Sequence, residues 1–434
     1  MYEREEPRSA IVQPPLSHEH REDWPNEGDD NPVHDKTRTK QIKSHVLRRR
    51  RGDCKSLRFR RHHGILPEPS ISRNDTQLAR ANGKQCGMIE VGLVGFGLAG
   101  RAFHAPVIQS VPGLHLAAIL QRTGSEAARK YPNVRIVRGM DELLAIREIQ
   151  LVVIATPNDT HYSFARQCLE AGRDVVVDKP FTTTLAEAKS LVEFAKKAGR
   201  LITVYQNRRY DGDFQAMRKL VSEGTLGRIV RFETHYDRYR PQLKPGAWRE
   251  TTRPGSGILF DLAPHLIDHA LVLFGLPEAV TAEVRIEREN AVADDAFDIM
   301  FHYPRALRAV LRSSILAAAP RPRFVLLGTQ GSFVKQTVDP QENNLRHGNI
   351  PASGPWGAEP EESWGVLTLP DGASFMQRRI PSANCDFRDY YANVRDTLLG
   401  KDAPAVTPEW AVNVMRLLEM ARESSERRST IPWK

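Results

Sequence analysis

An apolar run, Ile89–Val94, flows into Gly95, Gly97 and Gly100 and then into a segment of helical composition, and no other stretch constrains the fold of this chain so tightly. GxGxxG spacing between a strand and a helix is the turn of a dinucleotide-binding unit. Gly95 allows the tight turn, Gly97 lets the backbone approach a pyrophosphate, and Gly100 lets helix and strand pack closely. The helix N-terminus then offers its free N–H groups to phosphate. A glycine-rich turn without a ligand is the plain alternative. A second strand, Leu114–Leu120, follows one βαβ unit further on and favours the dinucleotide reading, with Phe96, Leu98 and Ala99 completing the candidate cradle.

From residue 88 strands and helices alternate. Strands are expected at Ile89–Val94, Leu114–Leu120, 134–137, 151–155, Asp174–Val177 and 201–205, with amphipathic helices such as 160–171 and Leu185–Ala198 between them. Such alternation makes a parallel sheet covered on both faces. Asn158 or Thr160 is expected to cap the first of these helices, and Gly172 and Gly199 to stop them. After residue 228 the pattern changes to alternating, β-branched runs (RIVRFETHY, AVTAEVRIER, AFDIMFHY, LRAVLRSSIL, RFVLLGTQGSFVK), which read as an open, mostly antiparallel sheet. The expected fold class is therefore α/β. A Rossmann doubly wound parallel sheet occupies residues 88–207, and an α+β domain with an open, mostly antiparallel sheet occupies 208–434. One helix at 263–273 interrupts that sheet, and helices at 390–399 and 409–425 close the chain.

The 434 residues carry a formal charge of +9, which raises the question of nucleic acid. Residues 1–87 hold 18 Lys and Arg against 13 Asp and Glu, so the extension accounts for +5 and the rest of the chain for +4. Its basic peak at 47–63 reads as a solvated charge run, and residues 1–87 as a disordered basic extension. Met88 stands directly before the first strand, which adds the expectation that translation starts there. The N-terminus lacks the apolar core of a secretory signal, and no window reaches 18 consecutive apolar residues. Cys54, Cys86, Cys168 and Cys385 form no CxxC pair. A cytoplasmic protein with reduced thiols is expected, with no metal, no membrane and no nucleic-acid partner.

An acid near the end of the second strand would mark NAD by bonding the ribose 2′-hydroxyl. Here that strand runs out into Gln121, Arg122, Thr123, Gly124 and Ser125, with no acid. Arg122 can pair with a 2′-phosphate and Thr123 or Ser125 can donate to it, so NADP is favoured and NAD stays open. Further cofactor contacts are expected where ligands bind such folds, at the carboxyl ends of strands: Thr156, Pro157, Asn158 and His161, and then Asp178, Lys179 and Pro180. A Lys buried at the crevice needs a phosphate, ribose or substrate oxygen to compensate its charge. In the second half, Asp261 and His265 are four residues apart on one helical face, continued by Asp268, and a carboxylate can set an imidazole for proton transfer near neutral pH. His235 and Asp237, two apart on one strand, are candidate substrate contacts, as are Asn207, Arg209, Trp248 and Arg249. Arg209 and Tyr210 have the alternative of tying the two domains together. His104 and His161 fit packing or capping better than proton transfer.

On GFGLAG, Asp178-Lys179-Pro180 and Asp261 through His265, the chain resembles the Gfo/Idh/MocA oxidoreductases over residues 88–434. FHAP, TPNDTH, VVVDKPF, NRRYDGDF and HYDRYRP are similar to a bacterial subgroup that includes NADP-dependent scyllo-inositol dehydrogenases, with Asp in place of the family's Glu before Lys179. The resemblance implies hydride transfer between nicotinamide and a secondary hydroxyl or ketone of a cyclic polyol or sugar. It implies His265 as general base, Lys179 as the donor to the reacting oxygen, and Asp261 as the group that orients His265 or anchors a neighbouring hydroxyl. It also implies a homodimer or larger homo-oligomer. A non-catalytic nucleotide-binding sensor, an aldose or dihydrodiol substrate, and redox-assisted elimination are the competing readings.

Overall fold

The structure, a computed structural model, describes residues 87–351 and 356–434. The expectation about the basic extension therefore lies, for residues 1–86, outside the described residues. Two sheets organise the rest. The first is six-stranded and parallel: β1 (Ile89–Val94), β2 (Leu114–Leu120), β3 (Arg135–Val137), β4 (Ile149–Ile154), β5 (Asp174–Val177) and β6 (Ile202–Val204), in the order β3-β2-β1-β4-β5-β6. Its central strands are buried nearly throughout. Near-continuous Val, Ile and Leu runs of this kind are what a sheet covered on both faces demands. The chain order reverses between β1 and β4, and ligands bind such sheets at that reversal, outside the carboxyl ends of the strands.

The second sheet has nine strands: β7 (Ile229–His235), β8 (Ala279–Arg285), β9 (Ala296–His302), β10 (Arg308–Ser314), β11 (Phe324–Gly328), β12 (Gly331–Lys335), β13 (Gly365–Asp371), β14 (Ser374–Ile380) and β15 (Ile431–Pro432). The order is β14-β13-β12-β11-β7-β10-β9-β8-β15, antiparallel throughout except for the parallel pair β7–β10. Alternate residues such as Phe297, Ile299 and Phe301 face the core, beneath the Gly257–Phe274 and Pro408–Arg427 helices. Strands β13 to β15 have no counterpart in the sequence reading.

Local signals hold where chemistry is local. Thr184 and Glu187 form a reciprocal capping box at the start of the Leu185–Ala198 helix, and Gly199 ends it at φ +60°. Asn158 and Thr160 do not cap the His161–Glu170 helix. They lie in a single 3₁₀ turn, where Asn158 Nδ2 donates to the Gly255 carbonyl and Thr160 Oγ1 to that of Pro157. The Gly257–Phe274 helix begins six residues before the expected start at 263, because Asp294, distant in sequence, takes its first free N–H groups: Ile258 N donates to the Asp294 carbonyl at 2.8 Å and Leu259 N to its carboxylate at 2.6 Å. This helix is also, by length and composition, apolar enough to cross a bilayer. In the fold, 78% of it is buried, as the core helix of the second sheet.

Candidate active site

The glycine turn closes the carboxyl end of β1. A methyl group on Gly100 would stand 2.1 Å from the Gly95 carbonyl oxygen, and Gly95 has φ +98°, so both positions require glycine. A methyl on Gly97 would meet nothing within 4 Å. Its missing side chain therefore serves no neighbour in the protein and leaves open backbone where a pyrophosphate can approach. Phe96 is buried edge-on against Tyr131, 5.9 Å between centroids. Leu98 and Ala99 lead into the helical turn Ala99–His104. The residues present fit a dinucleotide.

Beyond β2, Arg122 and Thr123 are exposed. Arg138 Nη1 donates to the carbonyls of Gln121 and Gly124 at 2.7 and 2.8 Å and holds the loop that carries them. Arg101, Arg129 and Lys130 line a cavity of about 300 Å³ with Phe96 and Glu126. These three cations were missed from the sequence, although the run QRTGSEAARK carries two of them.

Lys179 reaches from the end of β5 to the Gly257–Phe274 helix. Its Nζ lies 3.1 Å from Asp261 Oδ1 and also donates to the Asp261 carbonyl. Pro264, inside the helix, has no N–H of its own and so leaves the Phe260 carbonyl, one residue before Asp261, without its ladder donor. Arg238 Nη1 approaches Asp261 Oδ2 at 3.2 Å, and Arg249 Nε approaches Oδ1 at 3.5 Å. Burial opposes ionisation of Asp261, yet Lys179, Arg249 and Arg238 together hold its carboxyl well below the usual carboxylate range. His265 follows one turn later. Burial, reinforced by the charges of Lys179, Arg208 and His269, pushes its imidazole well below the ordinary histidine range, and its Nδ1 is buried without a hydrogen-bond partner. Neither carboxylate oxygen of Asp261 bonds His265. The expected orienting bond is absent, and the carboxylate instead receives Lys179 and Arg238.

The remaining candidates divide sharply. Trp248 and Arg249 reach the site, the guanidinium lying 4.7 Å over the indole ring. His235 and Asp237 do not. Just beyond β7 it is Arg238 that meets Asp261, whereas Asp237 is held away from it by Arg321 at 2.6 and 2.8 Å, and His235, at the end of β7, by the Pro322 carbonyl at 2.6 Å. Arg209 is committed to Asp268 through two bonds of 2.7 and 2.8 Å and lies over Trp410, so it ties the turn that follows β6 to the core helix of the second sheet, and Asp268 turns away from the site. Its neighbour Arg208 points toward the site instead, bonding Tyr236 at 2.7 Å and pairing with Glu342. Asn207 is buried in the 3₁₀ turn Asn207–Tyr210.

His161 is fully buried with its two ring nitrogens on the carbonyls of Pro180 and Thr156, at 2.8 and 2.9 Å. It joins the Thr156–Pro157 loop to the Asp178–Pro180 loop and exposes no side-chain surface. Asp178 takes Lys179 N at 2.8 Å, and its other oxygen lies 3.5 Å from His104, whose Nδ1 faces Tyr391 Oη at 2.6 Å. Burial raises its pKa, but the His104 contact and the Lys179 charge outweigh this and leave it below the usual range. Among the described residues no group of His, Cys, Asp and Glu could hold a metal ion.

A parallel dinucleotide sheet joined to an open sheet, with Lys, Asp and His gathered at the crevice, defines a nicotinamide-dependent oxidoreductase. A family model described as "Oxidoreductase family, NAD-binding Rossmann fold" matches residues 89–206, and one described as "GFO/IDH/MocA C-terminal domain" matches residues 214–334. The chain belongs to the Gfo/Idh/MocA oxidoreductase family. It is 41% identical to the oxidoreductase YdgJ of Escherichia coli K12 over 79% of this chain and 98% of that one. It is 38% identical to IolW of Bacillus subtilis, a scyllo-inositol 2-dehydrogenase (NADP(+)), over 79% of this chain and 95% of that one. The solved structure of the oxidoreductase yvaA from Bacillus subtilis superposes with a TM-score of 0.78 at 37% identity, covering 81% of this chain and all of the other.

Proposed function

We propose that the protein is an NADP-linked dehydrogenase acting on a secondary hydroxyl, or the corresponding ketone, of a cyclic polyol or sugar. The observation that carries this reading is the meeting of Lys179, Asp261 and His265 at the crevice, although Lys179 and Asp261 are 82 residues apart in sequence. The glycine turn, Thr156–Asn158 and Asp178–Pro180 would hold the dinucleotide, and a bound nicotinamide supplies the hydride acceptor or donor. His265, neutral because its pKa is depressed, takes the proton of the substrate hydroxyl. Lys179 donates to the same oxygen and stabilises the charge that develops on it, an interaction that strengthens in the transition state. Asp261 fixes Lys179, and Arg238 fixes Asp261. A non-catalytic sensor has no need of such a proton-transfer pair.

NADP preference is supported by the missing acid after β2, by Arg122, and by the cationic cavity of Arg101, Arg129 and Lys130. The polyol class is supported by likeness to IolW. A homo-oligomer paired through the uncovered face of the nine-stranded sheet belongs to the same reading, and light scattering would give about twice the chain mass or more. The deciding experiment follows absorbance at 340 nm with a panel of inositols and aldoses, using NAD⁺ and NADP⁺ in parallel. NADP-linked turnover is expected, and Arg122→Ala should raise KM for NADP⁺ by about tenfold with little change for NAD⁺. Tight NADPH binding with no turnover of any polyol would favour the sensor instead.

A further inference from the structure

The Asp261 carboxylate faces more positive charge than it can neutralise. Lys179, Arg238 and Arg249 stand 3.1, 3.2 and 3.5 Å from it, and among the described residues no other carboxylate lies within ion-pair distance of any of the three. Three cations thus share one anion at the mouth of the site, where their side chains keep 16, 19 and 44% exposure and are open to a ligand. In the layer behind, Arg208 pairs with Asp211 and Glu342, and Arg346 with Glu342.

Hydrogen-bond inventory leads the same way. Lys and Arg donate and never accept, and Asp261, the acceptor among these groups, already receives Lys179 and Arg238. A neutral ring hydroxyl placed here would face three cationic donors and have only the remaining lone pairs of one carboxylate to accept its O–H. An oxyanion accepts only, and so matches a wall of donors. Arg249 is set for this, since the indole of Trp248 stacks beneath its guanidinium at 4.7 Å and holds it in place while almost half of the side chain remains exposed.

Resting on the dehydrogenase reading above, we infer that the preferred substrate is an anionic polyol, one whose carboxylate or phosphate monoester is held by Arg249 and Arg238 beside the hydroxyl that reacts. The test compares kcat/KM for matched compounds with NADP⁺ on the full chain: glucose, glucuronate and glucose 6-phosphate, and myo-inositol with inositol 1-phosphate. An anionic member should exceed its neutral partner by about tenfold or more, which of the two anions gains identifying carboxylate or phosphate. The advantage should shrink between about 0.05 and 0.5 M salt, and Arg249→Gln should narrow it further. Turnover of the neutral compounds equal to or above that of the anions, indifferent to salt, overturns the inference and leaves the dehydrogenase reading standing. No turnover of any compound, with NADPH binding intact, overturns both.

Discussion

His265 and Lys179 need opposite things from one pocket, a neutral base and a positive donor: burial beside cations keeps the base neutral, and the Asp261 carboxylate, 3.1 Å away, is the partner of the Lys179 ammonium. Because the pKa of His265 lies well below 6.5, the imidazole stays neutral at every pH above that value. The sign follows directly: protonation disables a base, so kcat for alcohol oxidation should fall only as pH drops beneath about 6.5, with no acid limb between about 6.5 and 8. A pH–kcat profile with a midpoint near 7 would contradict this assignment. Both residues were legible in sequence, Lys179 from its place after an apolar strand and His265 from its spacing to Asp261. Arg238 was not. The titratable residues His235 and Asp237 share the polar, odd-numbered side of this stretch, which ion pairs fill, Arg321 with Asp237 and Arg231 with Glu233, whereas Arg238 continues the side of Val230, Phe232 and Thr234, which reads as core.

Elements whose ends are set by neighbours in sequence were read closely, and those set by distant partners were not. The Leu185–Ala198 helix has its own capping box and was placed to the residue. The Gly257–Phe274 helix starts where Asp294 receives it, a partner no local pattern reveals. The glycine turn gives a sharp test at this scale. Gly100→Ala drives a methyl toward the Gly95 carbonyl and should destabilise the protein by about 1–3 kcal/mol in urea unfolding. Gly97→Ala meets open space, so its stability should stay within about 1 kcal/mol of wild type while the Kd for NADPH rises about tenfold. A Gly97→Ala protein that binds NADPH normally would remove the pyrophosphate from this turn.

Across the whole molecule the two sheets are joined through buried polar contacts that sequence can suggest only as types. Arg209 meets Asp268, and the indole N–H of Trp410 donates to the same carboxylate at 2.7 Å. Arg209→Ala would strand Asp268 in the interior and should cost about 3–5 kcal/mol, read as a lower urea midpoint, with the Lys179–Asp261 chemistry untouched at low temperature. The alternation of strand and helix was enough to foresee both sheets, but β14 escaped because it is exposed along most of its length, and β15 because it is two residues long. The central claim is that Lys179 and His265 perform proton transfer at a dinucleotide crevice. It is tested most directly by NADP⁺ reduction at 340 nm in wild type, Lys179→Ala and His265→Ala on the best substrate of the panel, with NADPH affinity measured alongside. Each variant should lose about 100-fold or more in kcat at nearly unchanged cofactor affinity. Turnover at the wild-type rate in either would contradict the account.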